Sequence, residues 1–397
     1  MRPPGHVTIN VPMHRTYFDH NATTPLDPRV RAAMLPWLGE LHGNPSSVHS
    51  FGRQAQEAVE EAREQTALLI GAAPLALVFT ASGTEANNTV ILSSARRAGF
   101  SGHLILSAIE HPSVTAAATL AEGLGVEVTR VAPQGDGRVD PARLLAAVRD
   151  DTFLVCLMLA NNELGTLQPV ADVARGCRKR GVAVLCDAVQ AVGKIPVEVE
   201  DLEVDYLTLG AHKFYGPLGA AALWVRKGAD LTPLLIGGGQ ERHRRASTVN
   251  VSAVVGLGAA AEIARRELAD RQQQLASLRD RFEAGLARLS DIVVHGDSVP
   301  RLPNTSHIAL GGVDGEALMI RLDLAGYAVS TGAACSSGTV EPSSTLLALG
   351  MTSQEALSSL RVSLGISNTV AEVDDLLEVL TKEVAILRSR AAEEPSS

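Results

Sequence analysis

From about Pro74 the chain alternates short apolar runs with longer amphipathic ones. The runs are "LALVFT", "HLILSA", "VEVTRV", "FLVCLML", "VAVLCDA", "VDYLTLG" and "AAALWVR". Most lack polar alternation, which marks strands covered on both faces. Between several of them lie helical patterns such as "TEANNTVILSSARRAG" and "PVADVARGCRKRG". Apolar strands separated by helices predict a mostly parallel sheet with helices on both faces, and ligands at the carboxyl ends of its strands. After "LLIGGGQERHRRASTVN" a helical pattern runs over roughly residues 252–289, and its polar half reads as a connecting helix with a solvent face. A second mixed unit follows: "IVVHG", "TSHIAL", the helix "DGEALMIRLDLAG", "YAVS", "LRVSLG" and a last helix from about Val370. The expected architecture is α/β. A large domain over residues 16–260 holds a mostly parallel seven-stranded sheet covered by helices. A smaller α/β domain over residues 261–390 is formed by the C-terminal part together with the N-terminal segment.

Charge and composition narrow the function. The 35 Lys and Arg stand against 44 Asp and Glu, a net charge of −9, so a nucleic-acid binder is disfavoured. The one dense basic run, "ERHRRAS" (Glu241 to Ser247), reads as a solvated loop. No apolar stretch reaches the about 18 residues that span a bilayer. The N-terminal "MRPPGHVTINVPMHRT" lacks the apolar core of a secretion signal, so a soluble cytoplasmic protein is expected. Four cysteines without paired spacing argue against a disulfide framework and against structural zinc, and no metal site is expected. Cys156 and Cys186 sit in strand-like runs, whereas Cys335 lies in "VSTGAACSSGTVEPSS" with neither apolar cover nor a partner cysteine.

The candidate chemistry collects at predicted strand ends. Lys213, in "TLGAHKFYGP", follows a strand and precedes a Gly-Pro turn. Confinement there would lower its pKa toward that of a Schiff-base lysine, although a strand-end lysine is also an ordinary solvated charge. Asp187 ends an all-apolar strand and needs a partner, either a helix N-terminus or a cationic ring nitrogen. Pyridoxal phosphate asks for that pair, a lysine for its aldehyde and an acid for its pyridinium nitrogen. Its phosphate asks for free amides at a helix start, which "FTASGTEANN" offers at Gly83. His111, in "SAIEHPSV", could stack on a pyridine ring or be a satisfied loop residue. Asn161, Asn162 and Glu163 follow another strand, where adjacent asparagines also form plain turns.

These motifs, in order and spacing, resemble the cysteine desulfurases of the NifS/IscS group, within the class-V aminotransferase family of fold-type I pyridoxal-phosphate enzymes. The likeness runs from "YFDHNATTPLDP" to "LRVSLGISNT" and includes "GNPSSVHSFGRQA", "GTEANN", "EHPSV", "NNELGT", "CDAVQAVGK", "AHKFYGP", "GGGQE", "NTSH" and "GAACSSGTVEPS". The resemblance implies pyridoxal 5'-phosphate carried by Lys213, with His111 stacking on the ring and moving protons. It pairs Asp187 with the ring nitrogen and Gln190 with the phenolic oxygen, and sets Asn162 against cofactor and substrate. Gly83, Thr84 and His212 would hold the phosphate, joined by Thr248 from the second subunit of a homodimer. Arg361 would grip the carboxylate of L-cysteine, for which a forked guanidinium is suited. Cys335 would be the nucleophile that takes up sulfur as a persulfide and passes it to an acceptor protein such as an iron–sulfur scaffold. Sulfur donation for tRNA thiolation, selenocysteine lysis and aminotransfer are the alternatives on the same framework. Two departures stand out. Gly210 occupies a position where the family commonly has a phosphate-binding Ser or Thr, and "RRAST" replaces the more usual sequence around Thr248.

Overall fold

The computed structural model describes residues 15–331 and 341–393, the last three without their side chains. A short strand, β1 (Thr16–Tyr17), opens the chain. The seven apolar runs then form β2 (Leu77–Thr80), β3 (His103–Ser107), β4 (Glu127–Val131), β5 (Thr152–Cys156), β6 (Ala183–Asp187), β7 (Tyr206–Gly210) and β8 (Ala221–Val225). They make one seven-stranded sheet in the order β2-β8-β7-β6-β5-β3-β4. Only β8 is reversed; it runs antiparallel to both β2 and β7, so the carboxyl ends of the other six share one edge.

Successive side chains of a strand point to opposite faces, and the core divides accordingly. Phe79, Ile105, Val155, Val184 and Leu207 pack on one face, and Val78, Leu104, Leu154, Leu185 and Leu223 on the other. Burying each such side chain contributes about 1.5–3 kcal/mol. Cys156 and Cys186 take up places in this packing on opposite faces, and complete burial pushes both thiols well above their usual range. β4, at one edge of the sheet, has exposed positions at Glu127 and Arg130, whereas β2, at the opposite edge, is buried throughout.

The long helix Val251–Gly285 bridges two cores. Its small-residue half, Ala253 to Ala264, lies against the sheet core and the helix Ser50–Leu69. A Cβ added to Gly258 would stand 2.5 Å from Ala62 Cα, so this close helix approach requires glycine. Its other half places Leu275, Leu278 and Phe282 in a separate core with Phe18, Ile308, Leu360 and Leu376. The boundary expected at 260/261 therefore falls inside one continuous helix. The smaller unit contains the antiparallel sheet β12-β10-β9, formed by β9 (Ile292–Val294), β10 (Thr305–Leu310) and β12 (Ser359–Ser363). In addition, β11 (Tyr327–Ala328) pairs in parallel with β1, which brings the N-terminal segment to this unit.

The basic run is only in part the solvated loop expected of it: Arg242 and His243 are exposed, but the segment is anchored at Glu241. Glu241 is buried and accepts two hydrogen bonds from the equally buried Arg63 at 2.8 and 2.9 Å, and a third from the Phe79 amide at 2.9 Å. Glu241, Arg242 and His243 have φ of 47°, 57° and 63°, a left-handed conformation that non-glycine residues rarely adopt. Arg245 pairs with Glu85 at 2.8 Å. A buried ion pair thus anchors the segment that leads to Thr248.

Candidate active site

A cavity of about 300 Å3 opens at the shared carboxyl edge. Gly83, Thr84, His111, Asn162, Asp187, Gln190, His212 and Lys213 all line it, from the ends of β2, β3, β5, β6 and β7. Two candidates lie elsewhere. Thr248 lines a separate cavity with Phe79, Glu241 and Arg245. Arg361, on β12, does not line the strand-end cavity, but donates to the carbonyl of Asn162, which does. Cys335 lies outside the described residues.

The helix Gly83–Arg97 starts directly after β2. The Ser82 hydroxyl caps it by accepting from the Glu85 amide at 3.1 Å, and the Glu85 carboxylate accepts from the Ala81 amide at 2.9 Å. The amides of Gly83 and Thr84 have no partner among the described residues. A Cβ at Gly83 would meet Val189 Cγ2 at 2.8 Å, so glycine lets this helix start approach the loop after β6.

One helical turn further on, Asn87 organises the floor of the site. It is 1% exposed. Its Nδ2 donates to Asp187 Oδ2 at 2.7 Å and to Ser113 Oγ at 3.0 Å, and its Oδ1 accepts from Thr208 Oγ1 at 2.9 Å. Asp187 Oδ1 accepts from the Val189 amide at 3.0 Å. These bonds settle the tautomer of His111. Its Nδ1 accepts from the Ser113 amide at 3.1 Å and lies 2.8 Å from Ser113 Oγ. That nitrogen is therefore unprotonated, and the ring proton sits on Nε2. Burial holds the His111 pKa below the ordinary range; Asp187 opposes the shift and Lys213 adds to it.

Lys213 follows β7 in a single tight turn, Ala211–Lys213. Its Nζ donates to the Asn21 carbonyl at 2.6 Å and the Ala22 carbonyl at 2.8 Å. Burial, then the Arg361 charge, lowers its pKa to about 8. The neighbouring His212 ring, hydrogen-bonded to Thr23 Oγ1 at 3.1 Å, is lowered by burial to about 4 and is neutral at physiological pH. Arg361 donates to Asp19 Oδ1 at 2.6 Å and to the Asn162 carbonyl at 3.0 Å, and its Nε is buried with no partner.

This donor set fits pyridoxal phosphate. The cavity offers an amine of lowered pKa for an aldehyde, a hydrogen-bonded carboxylate for a ring nitrogen, and unpartnered amides at a helix start for a phosphate. At Gly210 an added Cβ would make only ordinary contacts, 3.6 Å from His212 Cδ2 and Val189 Cγ1, and the backbone there is extended. The absent hydroxyl is thus a matter of residue choice, not of space.

Three residues escaped notice as candidates: Asn21, Asn87 and Lys194. Asn87 carried a usable signal, since it lies one turn beyond Gly83 and faces the sheet. Asn21 and Lys194 carried none, because their partners are remote in sequence.

The family model "Aminotransferase class-V" matches residues 16–376. A cysteine desulfurase IscS from Dictyoglomus turgidum is 42% identical over 375 residues, covering 94% of this chain and 95% of the relative. Among solved structures, a NifS-like protein superposes with a TM-score of 0.88 at 37% identity, covering 94% of this chain and 100% of its own. A structure titled "SspA in complex with cysteine" matches with a TM-score of 0.78 at 32% identity, covering 88% and 98%. With its lysine and aspartate at the ends of adjacent strands, its free helix amides and this likeness over nearly the whole length, the chain belongs to the class-V aminotransferase family of pyridoxal-phosphate enzymes and, within it, to the cysteine desulfurases.

Proposed function

We propose that this cysteine desulfurase takes sulfur from L-cysteine, releases L-alanine and holds the sulfur as a persulfide on Cys335. The observation that carries the reading is the meeting of Lys213 and Asp187 in one cavity beside the free amides of Gly83 and Thr84. Pyridoxal phosphate, when bound, supplies an electron sink for the pair left at the substrate α carbon. Lys213 is the amine that would hold the cofactor and serve as base toward the substrate α proton; confinement lowers its pKa to about 8 in the unloaded chain, which favours free amine. Asp187 pairs with the ring nitrogen, and Asn87 fixes the carboxylate for that task. His111 stacks on the ring and moves protons through Nε2, since Ser113 holds Nδ1. Gln190 donates to the phenolic oxygen. Gly83, Thr84 and His212 hold the phosphate, and Thr248 reaches it from the second subunit of a homodimer. Thr248 lies away from its own chain's cavity, which supports that reading.

On the substrate side, Arg361 binds the carboxylate with Asn162 beside it. The C–S bond of the substrate breaks and an S–S bond forms to Cys335 Sγ. The substrate carbon gains a proton as it becomes alanine, so thiol plus cysteine balances persulfide plus alanine. The two working units are residues 16–260 and 261–390. We place the enzyme in the cytoplasm; no helix among the described residues is long and apolar enough to cross a membrane. The persulfide passes to an acceptor protein, with an iron–sulfur scaffold as the first to test.

The test uses purified protein loaded with pyridoxal phosphate, L-cysteine and a reductant. Sulfide and alanine are measured together for wild type and Cys335→Ala. Equal yields from wild type and almost none from the variant are expected. Alanine formation by the variant at the wild-type rate would remove Cys335 from the mechanism.

A further inference from the structure

Lys194 is a lysine where none is needed for solubility. It is 6% exposed, and no carboxylate among the described residues lies within ion-pair distance of it. Its Nζ has two partners, both neutral amide oxygens: Gln190 Oε1 at 2.8 Å and Asn21 Oδ1 at 3.0 Å. Burial, with Lys213 and Arg361 nearby, holds its pKa well below the usual lysine range. Keeping an unpaired lysine here is costly unless its donors are put to use.

Their use is directional. A glutamine amide presents either its oxygen or its nitrogen, and the choice is set by its partners. A main-chain carbonyl only accepts, so the Gln190 end that faces the Asn21 carbonyl is its N–H end, and the end facing Lys194 is oxygen, which accepts from Nζ. The other end, Nε2, then donates one hydrogen to the Asn21 carbonyl at 2.8 Å. Its second hydrogen is left for the cavity that Gln190 lines. Asn21 is fixed in the same way. Its Oδ1 accepts from Lys194 and from Asn304 Nδ2 at 3.1 Å, while its Nδ2 donates to the Asn162 carbonyl and to Thr305 Oγ1. The carbonyl of that residue also accepts from Lys213.

We propose that Lys194 is a positioning residue, which by donating to Gln190 and Asn21 locks the Gln190 amide with its N–H end toward the cavity. An N–H end suits an anionic oxygen; the opposite orientation would set a carbonyl against it. The proposal rests on the reading that pyridoxal phosphate is attached at Lys213, with its phenolic oxygen toward Gln190.

The experiment is a pH titration of the visible absorbance of the cofactor bound to Lys213. It compares wild type, Lys194→Met, Gln190→Ala and the double variant as holoenzymes. Loss of the Gln190 N–H from the cavity strengthens the hold of the phenolic oxygen on the neighbouring proton. The titration midpoint of Lys194→Met should therefore rise by about one pH unit. In the Gln190→Ala background the same change should do nothing, because its route has been removed. An unchanged midpoint in Lys194→Met overturns the proposal, as does an equal shift in both backgrounds, which would mean direct charge or packing. If Lys194→Met does not fold, Gln190→Glu replaces it. That carboxylate still accepts from Lys194 but offers only oxygen to the cavity, so the midpoint must again rise, and a wild-type midpoint refutes the idea. Absence of the visible band in the wild type would instead refute attachment at Lys213.

Discussion

The large-sheet side and the small-sheet side of the site are built differently. On the large-sheet side Asp187, Asn87, Ser113 and His111 form one hydrogen-bonded chain, each oriented by the next. The groups left over face the cavity. On the small-sheet side Arg361 is already engaged by Asp19 and by a main-chain carbonyl, and its Nε is buried without a partner. The difference is one of preorganisation. Charges held by a hydrogen-bonded framework act without rearrangement, whereas an arginine already paired with a carboxylate must exchange or share it to take another. The half that would hold the cofactor is thus set by the sheet, whereas on the proposed role of Arg361 the substrate half would have to rearrange around its ligand.

The largest test of this contrast is Lys213→Ala. Turnover should fall by at least about a thousand-fold and covalent attachment should be lost, while non-covalent cofactor binding persists through the phosphate and ring contacts. Loss of all cofactor binding, measured by equilibrium dialysis, would mean the pocket is not prebuilt. Next is Arg361→Lys, which keeps the charge but loses the fork. KM for L-cysteine should rise about 10- to 100-fold, as for one lost charge-assisted hydrogen bond of about 1.5–3 kcal/mol, with an unchanged cofactor spectrum. A changed spectrum with unchanged KM would place Arg361 in the cofactor half.

The third test is pH. A lysine with its pKa lowered to about 8 gains free amine as pH rises through that value, well before the ordinary lysine value of 10.5. The rate of cofactor attachment to apoprotein should rise up to about pH 8 and then level off. A rate still climbing toward pH 10 would show an unconfined lysine. The smallest effect is expected from Gly210→Ser, where space and extended backbone already exist. One added hydrogen bond of about 0.5–1.5 kcal/mol should tighten cofactor binding roughly three- to tenfold. Weaker binding would mean that the phosphate is held away from Gly210.

Much of this contrast follows legibility in the sequence. Asp187, Lys213, His111 and Gly83 stood out because each follows an apolar run, and a parallel sheet brings such ends together whatever the loops do. Arg361 and Thr248 came only from the resemblance, and neither lines the cavity in this chain. The basic run was legible only in part: its arginines and histidine are exposed or half-buried, but composition reports charge and not partners, so the anchor at Glu241 was hidden. Glu241 is buried by Arg63, which lies 178 positions away.

The sequence by itself determined the strands, the edge at which chemistry collects and the residue types available there, because hydrophobic period and strand-to-helix turns are local properties of the chain. Only the tertiary structure decided which way the Gln190 and Asn87 amides point, which ring nitrogen of His111 carries the proton, and that Asp19 holds Arg361. Those choices depend on hydrogen-bond partners such as Asn21 and Lys194, separated by 173 positions, and such partners meet only when the chain has folded.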